Sequence, residues 1–274
     1  MDRQVCFVKY WERGSTAVGA DQMAPALARM GVAARSVHAA EARGVRDAVL
    51  VFIKRADLTD LVAARARGNR LVLDVQDTLV FRRWISHWML YDGVIFRNLR
   101  QQADYAPRGA LCRTLYQHWD PRYRPHVNGF DGLHVAYVGI PRSLAIRARA
   151  TDVEMIGPER WFEASSGFNA HLSVRTTRRE RLYKPNAKVA TAAACDAVLI
   201  TTRDAAALEL LGGDYPFYLD GADQASVAAG LARARETYGD GDWRDALARL
   251  RALRASLAIE RVAERYLAML RELG

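Results

Sequence analysis

The chain has 274 residues, 50% hydrophobic and 26% charged, which excludes disordered, collagenous and disulfide-scaffold classes and fits one large or two small domains. Its apolar runs are too short to span a bilayer, and MDRQVCFVKYWERG lacks the apolar core and cleavage site of a signal peptide, so neither a span nor a leader is expected. The net charge of +9 leaves nucleic acid, an anionic membrane or a phosphorylated ligand as partner classes.

The first half alternates strand-like and helix-like stretches. Residues 5–9 are a short apolar run that suits a buried strand. A loop with Gly14, Ser15, Thr16 and Gly19 follows. Ala20, Met23, Leu27 and Met30 then fall at helical spacing, and Gly31 is placed to stop the helix. Residues 48–53 (AVLVFI) read as a strand, 58–66 as a helix, and 71–75 (LVLDV) as a strand. Residues 93–96 and 111–116 complete the strands of this half. Unbroken apolar strands between helices indicate a parallel sheet covered on both faces.

The second half repeats the logic. Strands are expected at 133–138, 153–156, 168–174, 196–200 and 216–219. Residues 188–194 and 205–211 are helical, and 225–238 and 243 onward close the chain with helices. The fold class is therefore α/β: two Rossmann-like, doubly wound domains. The segment 120–132, DPRYRPHVNGFDG, reads as the linker. Charge divides there too: residues 1–130 hold 20 basic and 12 acidic side chains, and residues 131–274 hold 20 and 19. Cys6, Cys112 and Cys195 are odd in number and lack metal-type spacing, which fits buried thiols in a reducing compartment.

Ligands of open α/β sheets bind at the carboxyl ends of the strands. In the second half those ends carry Gly139, Arg142, His171 and Arg175, followed by a basic loop ending in Lys184-Pro-Asn186-Ala-Lys188. Cations and free N–H groups at a helix start suit a diphosphate. A solvated charged loop is the equal alternative.

The ordered pieces HVAYVG (134–139), VEMIGP (153–158), HLSVR (171–175) and KPNAKVATAAACDAVLITT (184–202) resemble the nucleotide-sugar domain of GT-B glycosyltransferases. The first loop, LVLDVQD (71–77) and LYQHWDPRY (115–123) are similar to that family's acceptor domain. The resemblance implies residues 1–127 as an acceptor domain, 128–256 as a donor domain, and 257–274 as a helix packing back on the first, with a cleft between the domains. It implies sugar transfer from a nucleotide-diphosphate donor, used as co-substrate with no cofactor and no metal. Arg175 and Lys184, then Lys188 and Arg142, would hold the diphosphate, with Asn186 and Gly139 beside them. His171 would touch sugar or diphosphate. Asp77, with Asp74, would serve as base for the acceptor hydroxyl, turn formation by Asp being the alternative reading. Glu12, Gly14, Ser15, Thr16 and His118 would line the acceptor side, and Glu12 and Asp21 are alternative bases. The family's paired glutamates are missing, since Tyr183 and Thr191 stand in their places, and Asp196 replaces a common Gly.

FRRWISHWML (81–90) reads first as an amphipathic core helix, then as a membrane-surface helix. A bacterial polysaccharide or glycoconjugate role with a glycan or lipid-linked acceptor follows from the resemblance. It would place the protein in the cytoplasm, on the inner membrane face. A basic nucleic-acid binder and a catalytically silent GT-B scaffold are the competing classes, and no nucleic-acid motif supports the first.

Overall fold

A computed structural model describes residues 3–12, 14–76, 89–126, 129–140 and 152–273. They fold into two compact units. The first comprises Met1–Gln117, Tyr183–Pro185 and Ile259–Gly274, and the second His118–Leu182 and Asn186–Ala258.

In the first unit, β1 (Val5–Lys9) leads into a short turn of helix, α1 (Gly14–Thr16), a π-helical stretch (Ala17–Gln22) and α2 (Met23–Arg29). Gly31, at φ +81°, takes the left-handed conformation that lets the chain turn back. Then follow β2 (Ala34–His38), α3 (Ala39–Ala42), β3 (Val49–Ile53), α4 (Leu58–Ala66) and β4 (Arg70–Asp74). Next come β5 (Gly93–Phe96), α5 (Leu99–Tyr105) and β6 (Leu111–Thr114). The sheet is parallel throughout, in the order β2-β1-β3-β4-β5-β6.

Strand side chains alternate between two cores, which is why these strands read as unbroken apolar runs. Val5, Phe7, Val51, Val72 and Ile95 pack with Met23 and Leu27 on one face. Cys6, Val8, Leu50, Phe52, Leu73 and Val94 pack with Leu61 of α4 on the other.

The second unit holds β7 (Val135–Val138), β8 (Val153–Ile156), α6 (Trp161–Ala164) and β9 (Ala170–Ser173). It continues through α7 (Arg178–Tyr183), whose last residue groups with the first unit, then α8 (Ala187–Cys195), β10 (Val198–Thr201) and α9 (Ala205–Leu211). Two long helices, α10 (Gln224–Glu236) and α11 (Gly241–Ser256), follow. Asp223 and Asp240 cap them by accepting the backbone N–H of Ser226 and Trp243. The sheet order is β10-β9-β7-β8, again all parallel. Leu172, Ile200 and Val198 pack with Val189 of α8 and with Leu231 and Leu250 of α10 and α11.

The last helix, α12 (Ile259–Glu272), lies in the first unit. Its Val262, Tyr266 and Leu270 complete the core that α2 begins.

Three features differ from the sequence reading. The strand β2 was not expected, because ARSVH alternates polar and apolar at the sheet edge. Helix α5, capped by Asn98 accepting from Gln101 N at 2.7 Å, was not expected either. Residues 216–219 do not form a strand; they make a single bridge, Thr201 with Tyr218.

Candidate active site

In each sheet the winding reverses beside its first strand, between β1 and β3 and between β7 and β9. Such a switch point opens a crevice at the carboxyl ends of the strands, where ligands of this architecture bind.

At the second unit's switch point, β7 ends in Val138 and Gly139. Lys188, one residue into α8, donates from Nζ to the Val138 carbonyl and lies 4.7 Å from the centroid of the Tyr137 ring. Gly139 is needed for that approach: a Cβ there would sit 2.8 Å from Lys188 Nζ and 2.7 Å from the Tyr137 ring. Burial, and then the positive charge of Arg175, lower the Lys188 ammonium to about 7.

Arg175, just past β9, pairs through Nε with Asp204 Oδ2 at 2.8 Å. Asp204 also accepts from Thr202 Oγ1 at 2.8 Å. Burial raises Asp204 to about 6 against the opposing pull of Arg175. The edge therefore carries two cations of different kind. One is a guanidinium fixed by a carboxylate. The other is a desolvated ammonium held by a carbonyl and a ring. An anion arriving there would favour the charged form of Lys188. Asn186 stands at the N-cap position of α8, buried, with its carbonyl accepting from Ala190 N at 2.9 Å.

Lys184 belongs to the first unit, where its carbonyl accepts from Asn98 Nδ2 at 3.2 Å. His171 is not in a loop; it lies inside β9, buried, with Nε2 3.2 Å from the Ser165 carbonyl. A carbonyl only accepts, so Nε2 carries the proton. Burial lowers this imidazole to about 4, so the ring is held neutral within the fold. His118 is buried and groups with the second unit.

Asp74 is likewise structural. It is fully buried at the end of β4 and accepts from Arg97 Nε at 2.9 Å and Gln76 Nε2 at 2.9 Å. Arg97 Nη2 and the Tyr266 hydroxyl also donate to it. With those partners and no exposure, it cannot receive a proton from an acceptor hydroxyl. Asp77, Arg142 and residues 81–88 of the aromatic-basic segment lie outside the described residues.

The first unit's switch point is polar and of mixed charge. Lys9, the last residue of β1, donates to Asp21 Oδ1 at 2.8 Å and pairs with Glu12 Oε1 at 2.7 Å. Thr16 is buried and closes the loop by donating to the Trp11 carbonyl at 3.0 Å, while Gly14 is exposed and Ser15 half-buried. Among the described residues no group of three or more His, Cys, Asp or Glu could hold a metal ion, and no helix is long and apolar enough to cross a membrane.

Sequence reasoning missed Tyr137 and Asp204 on the second edge and Lys9 on the first. Their strand-end positions were a usable signal. Their pairings were not.

No protein-family model matches the sequence, and no curated protein does. Solved structures resemble its fold. A glycosyltransferase from Rickettsia africae superposes with a TM-score of 0.70 at 7% identity, covering 100% of this chain and 99% of its own. HepE from Anabaena, solved with UDP-glucose, gives 0.67 at 8% identity, covering 98% and 99%. The pneumococcal O-GlcNAc transferase GtfA, solved with UDP and GlcNAc, gives 0.62 at 10% identity and 86% of this chain. This chain spans 59% of that GtfA chain, and 59% of the matched chain of a GtfA/B complex. The protein has the GT-B fold, two Rossmann-like parallel sheets in tandem.

Proposed function

We propose that the protein is a glycosyltransferase that moves a sugar from a nucleotide-diphosphate donor to a hydroxyl of a glycan or lipid-linked acceptor without a metal. The observation that carries the reading is the pair Lys188 and Arg175 at the switch point of the second sheet. As the sugar leaves, negative charge grows on the diphosphate. The Arg175 guanidinium, and the Lys188 ammonium once the anion is bound, stabilise that charge more than they stabilise the ground state. Lys188 gains a proton as the anion binds, so the site is electrostatically matched to the leaving group only once occupied. Gly139 lets the phosphate chain approach the backbone closely. Asp77 is the sequence-based candidate for the base. The excess of 20 basic over 12 acidic residues in 1–130 favours an acceptor on an anionic membrane surface, on the cytoplasmic face, in polysaccharide or glycoconjugate assembly.

A thermal-shift panel of UDP, GDP, dTDP, ADP and CMP tests this. At least one nucleoside diphosphate should raise the melting temperature, because a ligand of the native state stabilises it. Lys188→Ala and Arg175→Ala should each weaken that ligand roughly 10- to 100-fold. In the wild type, affinity should fall as pH rises above about 7, where Lys188 loses its proton. Arg175, Asp204, Glu180, Tyr137 and His171 are titratable groups around this centre, and Asp204, at about 6, has already lost its proton in that range. If no nucleotide stabilises the protein, the reading fails.

A further inference from the structure

Three helices of the second unit begin with an aspartate in extended backbone at the N-cap: α9 with Asp204, α10 with Asp223 and α11 with Asp240. A side-chain oxygen at that position ordinarily accepts a backbone N–H of the first turn. Asp223 does so from Ser226 N at 2.9 Å, and Asp240 from Trp243 N at 3.0 Å. Asp204 does not: its carboxylate makes no capping bond to α9. One oxygen accepts from the Thr202 hydroxyl and the other pairs with Arg175 Nε. The fold thus gives up a helix cap, with the same extended backbone that serves the other two, to hold one arginine. Departures from a local rule of this kind gather at functional sites.

The hold has three points. Thr202 Oγ1, which donates to Asp204, also accepts from the Arg175 backbone N–H at 3.2 Å. Asp204 takes Nε, and Arg175 Nη1 donates to the Glu180 carbonyl at 3.3 Å. Only 12% of the arginine side chain is exposed. A long side chain fixed in advance has little rotamer freedom left to lose when it meets a ligand. Its positive charge is felt by Lys188, whose ammonium it helps to lower. Charge alone would not place a carboxylate here, since at an anion-binding edge it repels what the cations attract. What it holds accounts for its presence.

We infer that Asp204, with Thr202, is a positioning residue that aims the Arg175 guanidinium at the phosphates of the ligand. This rests on the reading of Arg175 and Lys188 as a diphosphate site. Arg175, Thr202, Arg181 and Glu180 of α7, and Tyr218 face Asp204. Burial raises its carboxyl to about 6, so below that pH the proton it takes up loosens its grip on Nε.

The test is isothermal titration calorimetry with inorganic pyrophosphate and with UDP, GDP, dTDP and ADP. Asp204→Ala should weaken the ligand that binds roughly tenfold. Asp204→Asn, whose amide oxygen still accepts from Nε, should fall between alanine and wild type. Thr202→Val should also weaken binding, and Thr202→Ser should restore it. The ratio of wild-type to Asp204→Asn affinity should shrink toward one as pH falls through about 6; comparing the two proteins at each pH cancels the ligand's own titration. A role confined to stability would move the melting temperature and leave these affinities and that ratio alone. Unchanged or tighter binding in Asp204→Asn and Thr202→Val overturns the proposal and leaves the diphosphate site standing. So does a ratio that does not move with pH. Loss of pyrophosphate binding in these variants of a protein that takes no nucleotide keeps the positioning role and removes the glycosyltransferase reading. A wild type that binds neither removes both.

Discussion

The two sheets are wound alike, with the first strand flanked by the second on one side and the third on the other. Their carboxyl edges nevertheless differ in chemistry. The second carries Lys188, desolvated, and Arg175, tethered to Asp204. The first carries a lysine whose charge is spent on two carboxylates, with oxygens left toward water. Topology therefore opens a crevice at one edge of each unit, and side chains decide the chemistry of each edge. The buried ion pairs differ as well. Arg175–Asp204 lies at the binding edge, whereas Arg97–Asp74 ties β4 and β5 to Tyr266 of α12.

That last contrast can be broken by mutation. Asp74→Ala should destabilise the protein most, by about 3–5 kcal/mol, because it strands the Arg97 guanidinium in the core. Urea unfolding followed by circular dichroism would show it. Nucleotide binding measured below the transition should survive. If Asp74→Ala is as stable as wild type, the carboxylate is not the structural anchor described here.

A smaller effect concerns His171. Its imidazole titrates near 4 in the folded protein and near 6.5 when unfolded. The unfolded chain thus binds more protons between those values. Stability is full above pH 6.5 and falls on acidification toward 4, by up to roughly 3 kcal/mol. His171→Gln should flatten the dependence of the urea midpoint on pH between 4.5 and 7. An unchanged slope would mean that the ring is not held neutral by burial.

The smallest effect belongs to Asp196, which ends α8 at φ +58°. Asp196→Gly relieves a left-handed conformation, worth about 0.5–1 kcal/mol. It also removes the exposed pair with Arg251, at 2.6 and 2.7 Å, worth about 0.2–1 kcal/mol. The two nearly cancel, so the melting temperature should hardly move. A large drop would assign the Arg251 pair a greater role than its exposure allows.

Much of the fold was legible because both sheets are covered on two faces, and AVLVFI or LVLDV can then only read as strands. The edge strand β2 was not, since half its side chains meet water and break the apolar run. With it went His38 and Ser36, and so most of the first unit's polar cluster. On the second edge, Arg175 and Lys188 were visible as cations near strand ends. Their neighbours were not, because the Arg175–Asp204 pair spans 29 positions and the Lys188–Val138 bond spans 50. Lys184 shares a motif with Lys188 yet sits in the other unit. Four residues of sequence separation say nothing about which unit the chain crosses into.

The placement of α12 bears on how the chain is made. The first sheet is translated before the second unit, but the helix that seals one of its faces is translated after it. Until then Phe7, Val51, Val72 and Ile95 lack the Val262, Tyr266 and Leu270 of their core. A nascent chain stalled before residue 259 would expose an adhesive surface, each such side chain forgoing about 1.5–3 kcal/mol of burial. The unit holding the first sheet therefore closes its core only after the second unit has been made, and its maturation waits on synthesis of the segment beyond residue 258.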